Sequence, residues 1–254
     1  SNFTDEFAKN TGVSINNFQI SGGTDVIKYN AGLGYFDQEG IFDPVGYQRY
    51  NYNMSLDIQA TKTTKFGMSL YGSIEHTDGI DADENLTHLM RSFYKFVPIQ
   101  TLIYPEWDKW GESSGGSPVG VLESEGYRKD EDNTLLSSVY VEQELPFIPG
   151  LKVKGVFSYD PTTNNDKLWH VPFIFYNIDL DQQPYTYTEA ISLQEGSGQP
   201  YTWLQLENRR QTKFTYQGYL NYDRIFGDHS VSALFVAEAR ETKNDFFNAR
   251  RNNF

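Results

Sequence analysis

Residues 47–61 read Tyr-Gln-Arg-Tyr-Asn-Tyr-Asn-Met-Ser-Leu-Asp-Ile-Gln-Ala-Thr. One face of an extended chain would carry Tyr50, Tyr52, Met54, Leu56, Ile58 and Ala60. The other would carry Arg49, Asn51, Asn53, Ser55, Asp57, Gln59 and Thr61. Side chains repeat every two residues only in a strand, so this stretch is a β-strand with one apolar and one polar face. Residues 27–38 repeat the pattern, with Phe36 the one exception, and so do 66–76 and 211–226. Residues 135–145, 151–160 and 229–240 alternate with lapses, and 17–23 is a short eighth candidate.

The connections alternate in length. Short turns are predicted at 24–26, 62–65, 146–150 and 227–228, and longer excursions at 39–46, 77–133 and 161–210. In an antiparallel meander every second connection lies at the same end, so the short turns gather at one rim and the long loops at the other. Outer-membrane barrels have that asymmetry, and a soluble sandwich seldom places such long loops between neighbouring strands. Several strands also run past the 9–11 residues or so that a tilted strand needs to cross a bilayer. Tyr29, Tyr35, Tyr50, Tyr52, Tyr216 and Tyr222 sit near strand ends, where an aromatic girdle belongs. The fold class read here is all-β: the wall of an antiparallel transmembrane β-barrel with long extracellular loops. A large soluble β protein is the alternative.

Composition narrows the function. The 254 residues hold 34 acidic against 21 basic side chains, and that net charge of −13 argues against nucleic acid as a partner. The absence of cysteine removes a thiolate metal site, a disulfide scaffold and a cysteine nucleophile, and the four histidines show no paired zinc spacing. No apolar run is long enough for a membrane-spanning helix, a test that does not see barrel strands. No carboxylate pair stands out for glycoside hydrolysis, so the chain is read as a non-enzyme without a cofactor.

Within the long loops, Asp83 or Asn85 is placed to cap a short helix carrying Leu86, Leu89, Met90, Phe93 and Val97 up to Pro98. Residues 167–178 and 185–193 read as a hairpin standing above the membrane. The Gly- and Ser-rich stretch 111–120 reads as the most mobile segment. Neither an internal repeat beyond the hairpin period nor a domain boundary is visible.

Several motifs, in order, resemble the SusC/RagA type of TonB-dependent outer-membrane transporter of Bacteroidetes. They are Ile20-Ser21-Gly22-Gly23, Lys28-Tyr29, Gly34-Tyr35-Phe36-Asp37-Gln38-Glu39-Gly40 and Tyr47-Gln48-Arg49-Tyr50-Asn51. Pro149-Gly150-Leu151-Lys152-Val153-Lys154-Gly155, Phe157-Ser158-Tyr159-Asp160, Asn221-Tyr222-Asp223 and the run from Phe226 to Leu234 continue the series. The resemblance implies a barrel of about 22 strands around a plug. It also implies a SusD-like lipoprotein as lid, energy from TonB, and import of an oligosaccharide or peptide. Residues 1–254 then form part of the barrel, with plug, TonB-contact segment and barrel-closing strands absent from this chain, which stops at 250–254 in what reads as a loop. The other functional readings are a soluble or surface-exposed carbohydrate-binding or glycan-degrading β domain, and a small passive eight-stranded barrel.

The candidate ligand-binding residues are Trp107, Trp110, Trp169 and Trp203, all read as lying in long loops, where their faces would stack on sugars or seat the lid, or else pack loop on loop. Asp78, Asp81, Asp83 and Glu84 crowd oxygen ligands as a Ca²⁺ loop does. They lack EF-hand spacing, since Leu86 stands where the turn glycine belongs, and a solvated loop is the simpler reading. Arg49, Asp57, Glu75, Glu142, Lys152, Lys154, Lys213, Asp223 and Glu238 are expected to face the barrel interior as a charge network gripping a plug.

Overall fold

The computed structural model describes residues 8–81, 89, 103–104, 109–111, 117–179, 181, 183–184, 186–191 and 201–253. Its wall is one antiparallel eight-stranded sheet. In chain order the wall strands are β1 (Val13–Gly23), β2 (Ile27–Glu39), β3 (Gly46–Gln59), β4 (Thr64–Ile80), β7 (Tyr127–Glu144), β8 (Leu151–His170), β11 (Trp203–Phe226) and β12 (His229–Asn252). Each pairs with the next along the chain, and β1 does not pair with β12, so the sheet is an open arc rather than a closed eight-stranded barrel. Above the arc stand two small hairpins, β5 (Ile103–Tyr104) with β6 (Lys109–Trp110) and β9 (Ile174–Asp179) with β10 (Thr186–Ile191), and the helix α1 (Pro118–Glu123).

The short turns 24–26, 60–63, 145–150 and 227–228 lie at one rim, and the segments 40–45, 81–126 and 171–202 at the other. Gly150, at φ +90°, lets the backbone close the β7–β8 turn against Asp223, where an added Cβ would meet the Asp223 carbonyl oxygen at 2.3 Å.

The outward positions carry the apolar residues in stretches nine residues long. Examples are Phe66 to Ile74 in β4, Leu151 to Tyr159 in β8, Phe214 to Tyr222 in β11 and Val231 to Ala239 in β12. Nine residues matches one bilayer crossing for a strand tilted by about 45°. The tilt is itself written in the register. Ala239 connects through Tyr216, Phe157 and Val139 to Met68, six positions below Ile74. The upper limit of the apolar band therefore falls by six residues over the four strand steps from β4 to β12. At about 3.3 Å per residue and 4.8 Å per strand, that slope corresponds to a tilt of about 45°.

All wall strands but β2 and β3 reach well past the limits that alternation marks. β8 continues to His170, β7 begins at Tyr127, β11 at Trp203, and β12 runs to Asn252, so residues 250–252 are strand and not loop. The reason is solvent. Above the bilayer both faces meet water, and strands such as Thr162-Thr163-Asn164-Asn165-Asp166 stay paired without alternating in polarity.

The proposed hairpin at 167–178 and 185–193 is present as β9–β10, while 167–170 belong to β8. Part of the Gly- and Ser-rich stretch is ordered, since Ser117 caps α1 by accepting from the Gly120 N–H and Pro118 opens the helix. The helix read at 83–97 lies outside the described residues except Leu89, which packs with Phe42 and Ile80 in a small apolar cluster joining the loop roots.

Candidate functional site

The concave candidate site is the polar face of the wall, made by the positions that alternate with the apolar band. Register carries Arg49, Asp57, Glu75, Glu142, Lys152, Lys154, Lys213, Asp223 and Glu238 all onto this face. Near the short-turn rim Lys152 pairs with Glu144 at 2.6 Å, and at the upper edge of the band on β12 Glu238 accepts from Gln217 at 2.6 Å. Tyr140 donates its hydroxyl proton to Asp57 at 2.5 Å, reaching across β4. Gly67 makes that reach possible, because a Cβ there would lie 2.0 Å from the Tyr140 ring. Lys154 covers the same ring, its Nζ 4.2 Å from the centroid.

From β1 to β7 the middle of the face carries amides and hydroxyls: Gln19 donates to Asn30, Asn30 to Asn53, and the Ser69 and Ser138 hydroxyls meet at 2.8 Å. Toward the long-loop rim charge returns. Tyr47 and Ser73 both donate to Glu75, Asn164 bridges Asp130 and Asp132, and Arg128 makes two bonds to Asp166 at 3.1 and 2.6 Å. These groups hold one another in fixed geometry, leaving a rigid surface of amides, hydroxyls and paired charges.

The rim itself is closed by a buried row. Asp81, 3% exposed, places Oδ2 at 2.8 Å from His170 Nδ1 and accepts from the Val171 N–H at 3.1 Å. The His170 contact is ionic in distance without the alignment of a hydrogen bond. Gly126 leaves the room for this carboxylate, since a Cβ would fall 2.3 Å from it. The His170 ring stacks on Trp203 at 5.2 Å, and the Arg250 guanidinium covers Trp203 at 3.9 Å. One cluster thus ties the ends of β4, β8, β11 and β12.

Two of the tryptophans are not where the sequence reading put them. Trp203 opens β11 and is 1% exposed between His170 and Arg250, with both ring faces occupied. Trp169 lies in β8 on the outward side, opposite Tyr127. Trp110 lies in β6, edge-on to Phe173 at 5.5 Å, and donates to Glu123. Trp107 lies outside the described residues. Trp169 and Trp203 are wall-strand residues because those strands continue above the bilayer, while Trp110 stays within the long segment between β4 and β7.

Of the oxygen-ligand candidates, Asp78 points outward beside Lys129 at 3.9 Å and Asp81 turns inward to His170, so these two do not converge. Asp83 and Glu84 lie outside the described residues, and among the described residues no group of three or more metal-binding side chains is present. The Asp81–His170 contact went unread in the sequence, where 89 residues separate the partners and no motif joins them.

An apolar band one bilayer thick outside, polar networks inside, and all long loops at one rim define the wall of a transmembrane β-barrel. The comparisons agree. The chain is 25% identical over 242 residues to TonB-dependent receptor P3 of Formosa agariphila, a match covering 91% of this chain and 22% of that protein. The structure of the RagAB peptide importer in the closed-closed state superposes with a TM-score of 0.70 at 17% identity, covering 99% of this chain and 26% of that one. The structure of the RagAB peptide transporter gives 0.68 at 16% identity over 95% of this chain and 26% of that one. No family model matches. The chain spans about a quarter or less of the length of these relatives. The resemblance read from the motifs stands: in sequence the chain is similar to a TonB-dependent receptor over 91% of its length, and in fold to the RagAB structures over nearly all of it.

Proposed function

We propose that this chain is a wall segment of an outer-membrane importer of the SusC/RagA type, contributing eight strands of a barrel of about 22. The outer membrane of a Bacteroidetes-like bacterium is its setting. The observation that carries the reading is the nine-residue apolar band, tilted by register, on the outside of a sheet whose inside is polar. Strand edges left open in lipid would strand backbone N–H and C=O groups, so β1 and β12 need further strands of the same barrel.

The polar wall grips a plug and lines the path of a large solute, an oligosaccharide or a peptide, beneath a SusD-like lipoprotein lid. TonB engages the transporter through a part outside these residues. The wall works by passage and not by bond chemistry, with its amides and paired charges offering hydrogen bonds along the path. In this reading Trp203 holds the rim together, and Trp107 and Trp110 are the tryptophans left for contact with solute or lid. The test is uptake. Cells carrying the full-length protein should accumulate a labelled oligosaccharide or peptide, and deletion of the protein or of TonB should abolish accumulation at low external concentration. Uptake unchanged without TonB would sink the proposal.

A further inference from the structure

The outward surface above the apolar band is divided by charge. On β2 to β4 it carries Asp37, Glu39, His76 and Asp78. On β7 to β12 it carries Lys129, Lys167, Arg210 and Lys243 interleaved with Glu131, Glu241 and Asp245, a belt with a local cationic excess on a chain whose net charge is −13.

Two of these cations are in an arrangement that costs stability. Lys129 and Lys167 are direct cross-strand partners, and like charges opposed across a ladder repel. Both ammonium groups lie toward the Tyr127 ring, at 5.7 and 5.3 Å, with Trp169 opposite Tyr127 in the next row. Lys129 reaches Asp78 at 3.9 Å and Arg210 stands directly opposite Asp245, while Lys167 has no carboxylate within ion-pair distance among the described residues. Lys243 is paired with Glu241 at 3.3 Å. The remaining outward carboxylates at this level are Glu131, held by His76 at 3.7 Å, and Asp245.

We propose that this belt binds a phosphorylated glycolipid of the outer leaflet, of lipopolysaccharide chemistry, with Lys129 and Lys167 sharing one anionic group over the Tyr127 ring. Height selects this occupant over a phospholipid. Arg210 and Lys243 stand four positions above the apolar limits Phe214 and Ala239, Lys129 six above Leu135, and Lys167 eight above Tyr159. At about 3.3 Å per residue along strands tilted by about 45°, the belt spans roughly 9 to 19 Å above the hydrocarbon. An ordinary headgroup layer is only about 5–8 Å thick on each side, so only anionic groups carried on an extended sugar headgroup reach Lys167. Charge attraction at such a surface is worth roughly a tenfold gain in affinity for every one to two cations engaged.

The proposal rests on the transmembrane reading, and the test separates the two. The full-length protein and its Lys129→Gln/Lys167→Gln/Arg210→Gln/Lys243→Gln variant would be purified from the membrane fraction, checked for the heat-modifiable gel mobility of a folded barrel, and titrated by native mass spectrometry. The probes are rough lipopolysaccharide, its dephosphorylated form and phosphatidylglycerol. Expected is retention of lipopolysaccharide by the native protein, at least tenfold weaker retention by the variant and by the dephosphorylated probe, and little discrimination by phosphatidylglycerol. Equal retention by protein and variant overturns the site, and equal dependence on the four cations for phosphatidylglycerol overturns the glycolipid assignment. Absence from the membrane fraction overturns the transmembrane reading instead. Lys167→Gln alone, a single exposed change, gives the same ordering if the fourfold variant fails to fold.

Discussion

Val139→Arg is expected to cost about 2–4 kcal/mol of barrel stability, while Ser138→Arg, one residue away, is expected to be tolerated. Val139 sits in the middle of the outward band, in one row with Leu56, Met68, Phe157 and Tyr216, where a guanidinium would face hydrocarbon. Ser138 faces the interior, where its hydroxyl meets Ser69 at 2.8 Å and water or a plug can solvate a charge. Refolding of the full-length variants into vesicles, followed by denaturant titration, measures both. Similar losses for the two variants would mean that the faces have been assigned wrongly.

Asp81→Ala is expected to destabilise the loop rim by about 1–3 kcal/mol, because it leaves a buried donor, the Val171 N–H, without its acceptor. The Val171 N–H would lose its acceptor and His170 its close neighbour at a site where Asp81 is 3% exposed, and the His170–Trp203–Arg250 stack would lose its anchor on β4. Asp81→Ala/His170→Ala should lose less than the sum of the two single variants, since the two side chains are in contact. The readout is proteolysis of the extracellular loops on intact cells, where the single variant should be cut severalfold faster. Equal cleavage of single variant and native protein would reduce the contact to surface decoration.

Much of the wall was legible because a bilayer writes a strict code. Inside it, one face must be apolar, so the outward positions of β4 and β12 carry no charge across the band, and the turn rim could be assigned from connection lengths alone. The code stops at the membrane surface. Asp130 to Thr134 and Thr162 to Asp166 have water on both sides, carry polar residues at nearly every position, and pair through backbone hydrogen bonds that leave no mark in polarity. Trp169 and Trp203 were therefore taken for loop residues, and the end of β12 for a loop. Phe36, which breaks the alternation of β2, lies on the polar face near the long-loop rim, where it meets Tyr47 edge-on at 5.8 Å and lies 5.6 Å from the Arg49 guanidinium.

The interior charges were also readable as a set, since parity alone puts Arg49, Asp57 and Glu238 inward. Their partners were not. Tyr140 reaches Asp57 only because Gly67 stands between them without a side chain, and Asp81 reaches His170 only past Gly126. Such contacts depend on register between distant strands, which a single sequence does not display.

Cysteine labelling tests the membrane reading directly, since these 254 residues contribute no background thiol and any cysteine elsewhere in the full-length protein can be replaced by serine. Single cysteines placed in turn at 127–144 and 151–170 of the full-length protein would be reacted in intact outer membranes with a water-soluble, membrane-impermeant maleimide. Within the band, reactivity should alternate with period two, high at inward positions such as Ser138, Tyr140 and Ser158 and low at Val139, Val141 and Phe157. Above Asn133 and Thr162 both faces should react. Uniform labelling along both strands, or alternation that continues unbroken to Tyr127 and His170, would contradict a lipid-facing wall that ends where the apolar band does.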